Sequence, residues 1–230
     1  MINKIVDSVA AACTGIADGA TILMGGFGGS GQPHELIDGL IAGSARDLTI
    51  VCNNAGNGET GIAALLKTGR VRKILCSFPR QADSHVFDGL YRSGKLELEL
   101  VPQGNLAERI RAAGAGIGAF FTPTGFGTEL AKGKETRMIN GRQYVLEYPI
   151  HADVALVKAE RADRWGNLVY RKAGRNFGPV MATAAKLTIA QVFDLVTLGE
   201  LDPELVVTPG IYVKRVVRVD RQSERGRKAA

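Results

Sequence analysis

Between Ala20 and Phe121 the chain alternates between two kinds of segment. Short apolar runs at 20–24, 48–52, 71–78, 96–101 and 118–121 are separated by helical patterns at 33–42, 61–68, 83–93 and 105–113. Strands spaced by helices lie in one parallel sheet, joined by right-handed crossovers. The run LTIVC (48–52) shows none of the alternation of a half-exposed strand, as expected when helices cover both faces. The pattern changes at Thr136. TRMINGRQYVLE places Asn140-Gly141 between alternating runs, which reads as a hairpin. Strands are expected again at 154–157, 168–170, 187–196 and 211–217, with a helix over 178–186 that opens on Pro179, a residue suited to a first helical turn. The expected fold is α/β: a Rossmann-like, mostly parallel sheet flanked by helices, with a hairpin-bearing C-terminal part. Residues 1–217 read as one domain, since no internal repeat or low-complexity linker interrupts them.

Composition narrows the class. The chain has 230 residues, enough to bury a sizeable core. Its net charge of +6 invites a nucleic-acid reading, but the segment 218–230 (RVDRQSERGRKAA) alone supplies +3. The remainder is spread over 217 residues with no basic stripe or interleaved aromatics. The segment 218–230 is therefore expected to be a basic, solvated, disordered tail. No run of about 18 apolar residues exists, so no membrane span is expected. The N-terminal MINKIVDSVAAACTGIADG fits an amphipathic helix packed before the first strand better than a signal peptide. Cys13, Cys52 and Cys76 form no CxxC pair, and a reducing cytoplasm is the expectation. His34, His85 and His151 are too scattered for a metal motif.

Ligands of open parallel sheets bind beyond the carboxyl ends of the strands. Four segments fall there. The first strand runs into a loop containing Gly25, Gly26, Phe27, Gly28, Gly29, Ser30 and Gly31, and Pro33 then opens a helix. A loop without side chains admits close approach of a ligand, and free N–H groups at a helix start attract anions. The bland alternative is a tight strand-to-helix turn made for packing. Asn53 and Asn54 follow the second strand, either as ligand contacts or as caps of their own turn. Arg80 lies in the loop after the third strand. Gln103 follows the fourth, to meet a substrate carbonyl or to tie two loops together.

Taken as strings, these segments resemble the α-type subunit of the family I coenzyme A transferases. The likeness lies in DGATILMGGFGGSGQP (18–33), NNAG (53–56), PQGNLAERIRAAGAG (102–116), FFTPTGFGT (120–128) and DVALVKAERADRWGNLVYRKAGRNF (153–177). SFPRQAD (77–83) and GNGETG (56–61) favour, within the family, the branch that acts on 3-oxoadipate. The resemblance implies a coenzyme A thioester as substrate, no permanently bound cofactor, and transfer of CoA between succinate and a 3-oxoacid. It also implies a partner, the β-type CoA-transferase subunit, in an αβ or α2β2 assembly. That partner supplies the catalytic glutamate in a Ser-Glu-Asn-Gly motif, which this chain lacks. No catalytic residue is then expected here. Glu59, on a loop, is the glutamate least easily dismissed. Arg80 is a candidate for the distal carboxylate of 3-oxoadipate, because a guanidinium fork matches a carboxylate; a solvated loop arginine is the alternative. Arg171, Lys172, Arg175 and Asn176 (in YRKAGRNF) read as structural or subunit contacts or as ligand contacts. Trp165 reads as a packing anchor or interface residue. Two other readings stand beside this one: a CoA-transferase subunit for acetoacetate or a short-chain fatty acid, and a non-catalytic module binding phosphates or nucleotides.

Overall fold

The computed structural model describes residues 1–221. Its strands are β1 (Ile5–Val6), β2 (Thr21–Met24), β3 (Leu48–Val51), β4 (Val71–Cys76), β5 (Glu97–Leu100), β6 (Phe120–Thr122), β7 (Thr136–Ile139), β8 (Arg142–Glu147), β9 (Ala152–Lys158), β10 (Arg161–Ala162), β11 (Leu168–Val169), β12 (Ala185–Val192), β13 (Asp194–Leu195) and β14 (Val213–Arg218). Its α-helices are α1 (Val9–Cys13), α2 (His34–Ala42), α3 (Ile62–Lys67), α4 (His85–Arg92), α5 (Gln103–Gly114) and α6 (Gly178–Thr183). Eight strands form one sheet in the order β1-β14-β12-β9-β2-β3-β4-β5, and every neighbouring pair is parallel.

Side-chain alternation along the central strands builds three layers. Ile22 and Met24 of β2 point into a core with Leu36, Ile37 and Leu40 of α2, Leu65 of α3 and Phe87 of α4. Leu23 points the other way, into a core with Leu106 and Ile110 of α5 and Met181 of α6. Both faces of the sheet are thus apolar, as LTIVC foretells. Burying a leucine or isoleucine fully contributes about 1.5–3 kcal/mol each.

The hairpin forms where expected. Asn140 (φ 48°) and Gly141 (φ 77°) take the left-handed conformations that a two-residue β-turn needs. It pairs β7 with β8 in a separate three-stranded sheet that also takes in β6, antiparallel to β8. The run 118–121 therefore leaves the parallel sheet; the three residues of β6 are only half-buried, without the two-sided burial of a central strand. This sheet is fastened to α5 by a buried charge. The Glu147 side chain, 4% exposed, meets Lys134 at 2.7 Å and Arg109 at 3.7 Å, and accepts a hydrogen bond from Asn105 at 3.2 Å.

Three further differences from expectation have local causes. The run 187–196 breaks at Phe193, where the amides of Phe193 and Asp194 both donate to the Glu160 carbonyl; β13 then joins a small sheet with β10 and β11. The helix expected to reach 186 stops at Thr183, whose hydroxyl donates to the Val180 carbonyl, and Ala185 already belongs to β12. Residues 218–221, expected as the start of a solvated tail, are instead held. Arg218 ends β14, the buried Val219 donates its amide to Val192 at 2.8 Å, and Arg221 is ion-paired. The rest of that segment, 222–230, lies outside the described residues. No helix among the described residues is long and apolar enough to cross a membrane.

Candidate functional site

From β2 the chain steps outward through β3, β4 and β5, then returns to the other side of β2 with β9 and steps outward again through β12 and β14. The strand order reverses between β2 and β9. Connections diverge there and leave a crevice at the carboxyl ends, the usual ligand position of such sheets. A cleft of about 730 Å³ occupies this place. One wall is the loop after β2 (Gly28 to Gln32), with Asn54, Gly56 and Asn57 after β3 and Gln81 after β4. The other is Lys158, Ala159 and Glu160 after β9, Phe193 after β12, the segment Arg171 to Gly174, and Arg221.

The glycine loop divides into a packed part and an open part. Phe27 and Ser30 exchange backbone hydrogen bonds at 2.9 and 3.0 Å, which closes a tight turn over Gly28-Gly29. A Cβ on Gly29 would meet nothing within 4 Å, so the tip of the turn faces open cleft. Gly31 differs: at φ +74°, its Cβ would lie 2.5 Å from the Gly174 carbonyl oxygen and 2.6 Å from Asn176 Nδ2. Asn176 binds the whole arrangement. It accepts from the Gly26 amide at 3.1 Å and donates to the carbonyls of Ser30 and Ala173 at 3.0 and 2.8 Å. Phe27 is 52% exposed on the rim. At the start of α2 two amides are engaged within the chain: the Leu36 amide donates to Gln191 Oε1 at 3.1 Å, and the His34 amide donates to the Gln32 carbonyl.

Asn54 lines the cleft, accepting from the Gly56 amide at 3.0 Å and reaching toward the Gly28 carbonyl at 3.5 Å. Asn53 sits behind it as a knot. Its Oδ1 accepts from Ser77 at 2.8 Å and from Gln103 Nε2 at 2.7 Å, and its carbonyl accepts the amides of Ser77 and Phe78. Gln103 thus ties two loops together, one of its two readings. Arg80 stands apart from the cleft lining. Its side chain is 58% exposed and donates to Asp88 at 2.7 Å. Its neighbour Gln81 lines the cleft instead. Glu59 lies outside the lining, 2.8 Å from Lys67 and 3.4 Å from His85, and the Lys67 hydrogen bond, then His85, holds its carboxyl below the usual range.

The far wall is not evident from local sequence. Lys158 and Arg221 both stand over the Phe193 ring, 5.1 and 4.6 Å from its centroid. Arg221 also binds Glu160 at 2.7 Å and Asp194 at 2.6 Å, and these carboxylates raise its already high pKa. Glu160 is the one acidic residue among the described lining residues. Arg171 and Lys172 complete the wall, and neither forms an ion pair among the described residues. The signal that points to Lys158 is its place at the end of β9, but only strand order shows that β9 adjoins β2.

A model of the coenzyme A transferase family matches residues 6–219. The chain is 71% identical over 219 residues to the A-type subunit of the 3-oxoadipate CoA-transferase of Pseudomonas putida, covering 95% of each chain. It is 47% identical over 224 residues to the A-type subunit of the probable succinyl-CoA:3-ketoacid coenzyme A transferase of Bacillus subtilis, covering 97% of this chain and 93% of that protein. Among solved structures, an acyl-CoA transferase apoenzyme of Escherichia coli O157:H7 superposes with a TM-score of 0.83 at 24% identity. The match takes in 94% of this chain but 47% of that one, so the chain spans about half of it. The glutaconate coenzyme A-transferase of Acidaminococcus fermentans gives 0.81 at 21% identity, covering 94% and 76%. At these identities the two structures speak for the fold. The family match and the close relatives carry the assignment, and the chain belongs to the coenzyme A transferase family.

Proposed function

We propose that this chain is the A-type half of a cytoplasmic, heteromeric, succinyl-CoA-dependent 3-oxoadipate CoA-transferase. The observation that carries this reading is the cleft itself. It offers open backbone at Gly28-Gly29 and a cationic far wall, suited to a thioester with anionic ends, yet its one described lining carboxylate, Glu160, is engaged by Arg221. A transferase that works through an acyl anhydride needs a carboxylate nucleophile, so the partner chain supplies it. That glutamate attacks the succinyl thioester carbonyl and expels CoA thiolate. The thiolate attacks the glutamyl carbonyl of the mixed anhydride and releases succinate. The resulting glutamyl-CoA thioester passes CoA to the 3-oxoacid by the same two steps in reverse. Splitting the exchange in this way lowers each barrier. The Gly28–Gly31 turn and Asn54 form the wall facing the thioester, with Asn53 and Gln103 holding Asn54's loop in place. The substrate assignment draws on relatives 71% and 67% identical, both A-type subunits of 3-oxoadipate CoA-transferases. Succinyl-CoA exchange is measured with the chain alone and with its partner, against 3-oxoadipate and acetoacetate. Activity only with both chains and mainly on 3-oxoadipate is expected. Preference for acetoacetate discards the substrate, and turnover by this chain alone discards the division of labour.

A further inference from the structure

Arg171 and Lys172 sit where a loop has been strapped over the open glycine turn. Asn176 binds the carbonyl of Ala173 on one side and the amide of Gly26 and carbonyl of Ser30 on the other. Gly31 and Gly174 touch, leaving no room for a side chain at Gly31. The strap therefore cannot shift without the turn. Lys172 is held at φ +49°, a left-handed conformation that is unfavourable for lysine and that the surrounding packing must impose. Both side chains are exposed and line the cleft. Among the described residues neither pairs with a carboxylate, whereas Arg221 on the same wall is committed to Glu160 and Asp194.

We propose that Arg171 and Lys172 form an anion clamp at the mouth of the cleft that binds a negatively charged group of the ligand, a phosphate or a carboxylate. The proposal rests on the coenzyme A reading above, which supplies both anion types: phosphates on CoA and the remote carboxylate on the acid. A guanidinium fork and an ammonium lining the same cleft suit an oxyanion of either kind. Asn176 is a positioning residue that sets where the pair stands.

The test uses the assembled heteromer and an Arg171→Ala/Lys172→Ala double variant. Binding of CoA, of pantetheine (which lacks all the phosphates) and of 3-oxoadipate is measured by calorimetry at two salt concentrations. The variant is expected to lose roughly tenfold or more in affinity for one anionic ligand, since each 1.4 kcal/mol is a factor of ten. Its salt dependence is expected to flatten. If the anion is phosphate, CoA weakens and pantetheine does not. If it is carboxylate, 3-oxoadipate weakens and CoA does not. Charge-retaining Arg171→Lys and Lys172→Arg changes are expected to restore most of the binding. Unchanged affinity for both CoA and 3-oxoadipate overturns the clamp, as does an equal loss for pantetheine, which would show a general disturbance of the cleft. Absence of CoA exchange in the wild-type heteromer would instead overturn the proposed function, and the binding comparison would still decide the clamp.

Discussion

Gly29 and Gly31 look alike in the sequence and answer to different constraints. At Gly31 a methyl group would collide with backbone at 2.5 Å in a left-handed conformation; at Gly29 it would meet open space. Gly31→Ala is expected to cost about 1–3 kcal/mol, and Gly29→Ala to stay within about 0.5 kcal/mol, as read by denaturant unfolding. Glycine spacing shows that a loop is side-chain-free, but which glycines face ligand and which face the distant Asn176 depends on tertiary structure. Cys52 and Cys76 sit in apolar runs and are buried, whereas Cys13 is half-buried. Burial pushes the Cys13 thiol up to about 11 and Cys76 up to about 12, and raises Cys52 as well. Alkylation of Cys52 and Cys76 at neutral pH is expected to proceed only as the chain unfolds, and rapid labelling of either in the native protein would contradict their burial. His85 behaves oppositely to a buried group. Its hydrogen bond to Asp83, then that to Glu59, raises its pKa above 6.5. The ion pairs that join the loops after β3 and β4 are therefore complete below pH about 6.5 and lost as pH rises through the raised value. An NMR titration of His85 is expected to give a midpoint above that of free histidine, falling in Asp83→Asn.

At the scale of elements, the hairpin sheet depends on a charge. Glu147 is buried with Lys134, Arg109 and Asn105 around it, so removing it leaves cations facing an empty, desolvated position. Glu147→Ala is expected to cost about 3–5 kcal/mol, read as a fall in the denaturation midpoint, and a change below about 1 kcal/mol would show that water already reaches the site. Asn140-Gly141 announced this hairpin through local chemistry alone. Nothing local announced that β6 would join it, because the choice between the two sheets is made by pairing with β8, further along the chain. β1 was missed for a related reason: two residues, Ile5 and Val6, carry no period, and they become a strand only by pairing with Val216 and Val217. Long apolar runs such as 48–52 and 71–78 declare themselves; short strands are created by their neighbours.

For the whole molecule, the alternation of strands and helices was enough to expect a parallel sheet and to look for a site at its carboxyl ends. It was not enough to say which ends adjoin. The order β9-β2 places Lys158, Glu160, Phe193 and Arg171–Lys172 opposite the glycine turn, and that adjacency decides which residues share a cleft. Arg80 shows the converse: the right loop, with a side chain turned to Asp88. In the proposed division of labour this chain shapes the cleft while the partner carries the nucleophile. Mass spectrometry of the assembled heteromer after incubation with succinyl-CoA, with peptide mapping of any covalent CoA thioester, reads that division at the atom concerned. The adduct is expected on a glutamate of the partner chain, with none on this one. An adduct on Glu59 or Glu160 would contradict it.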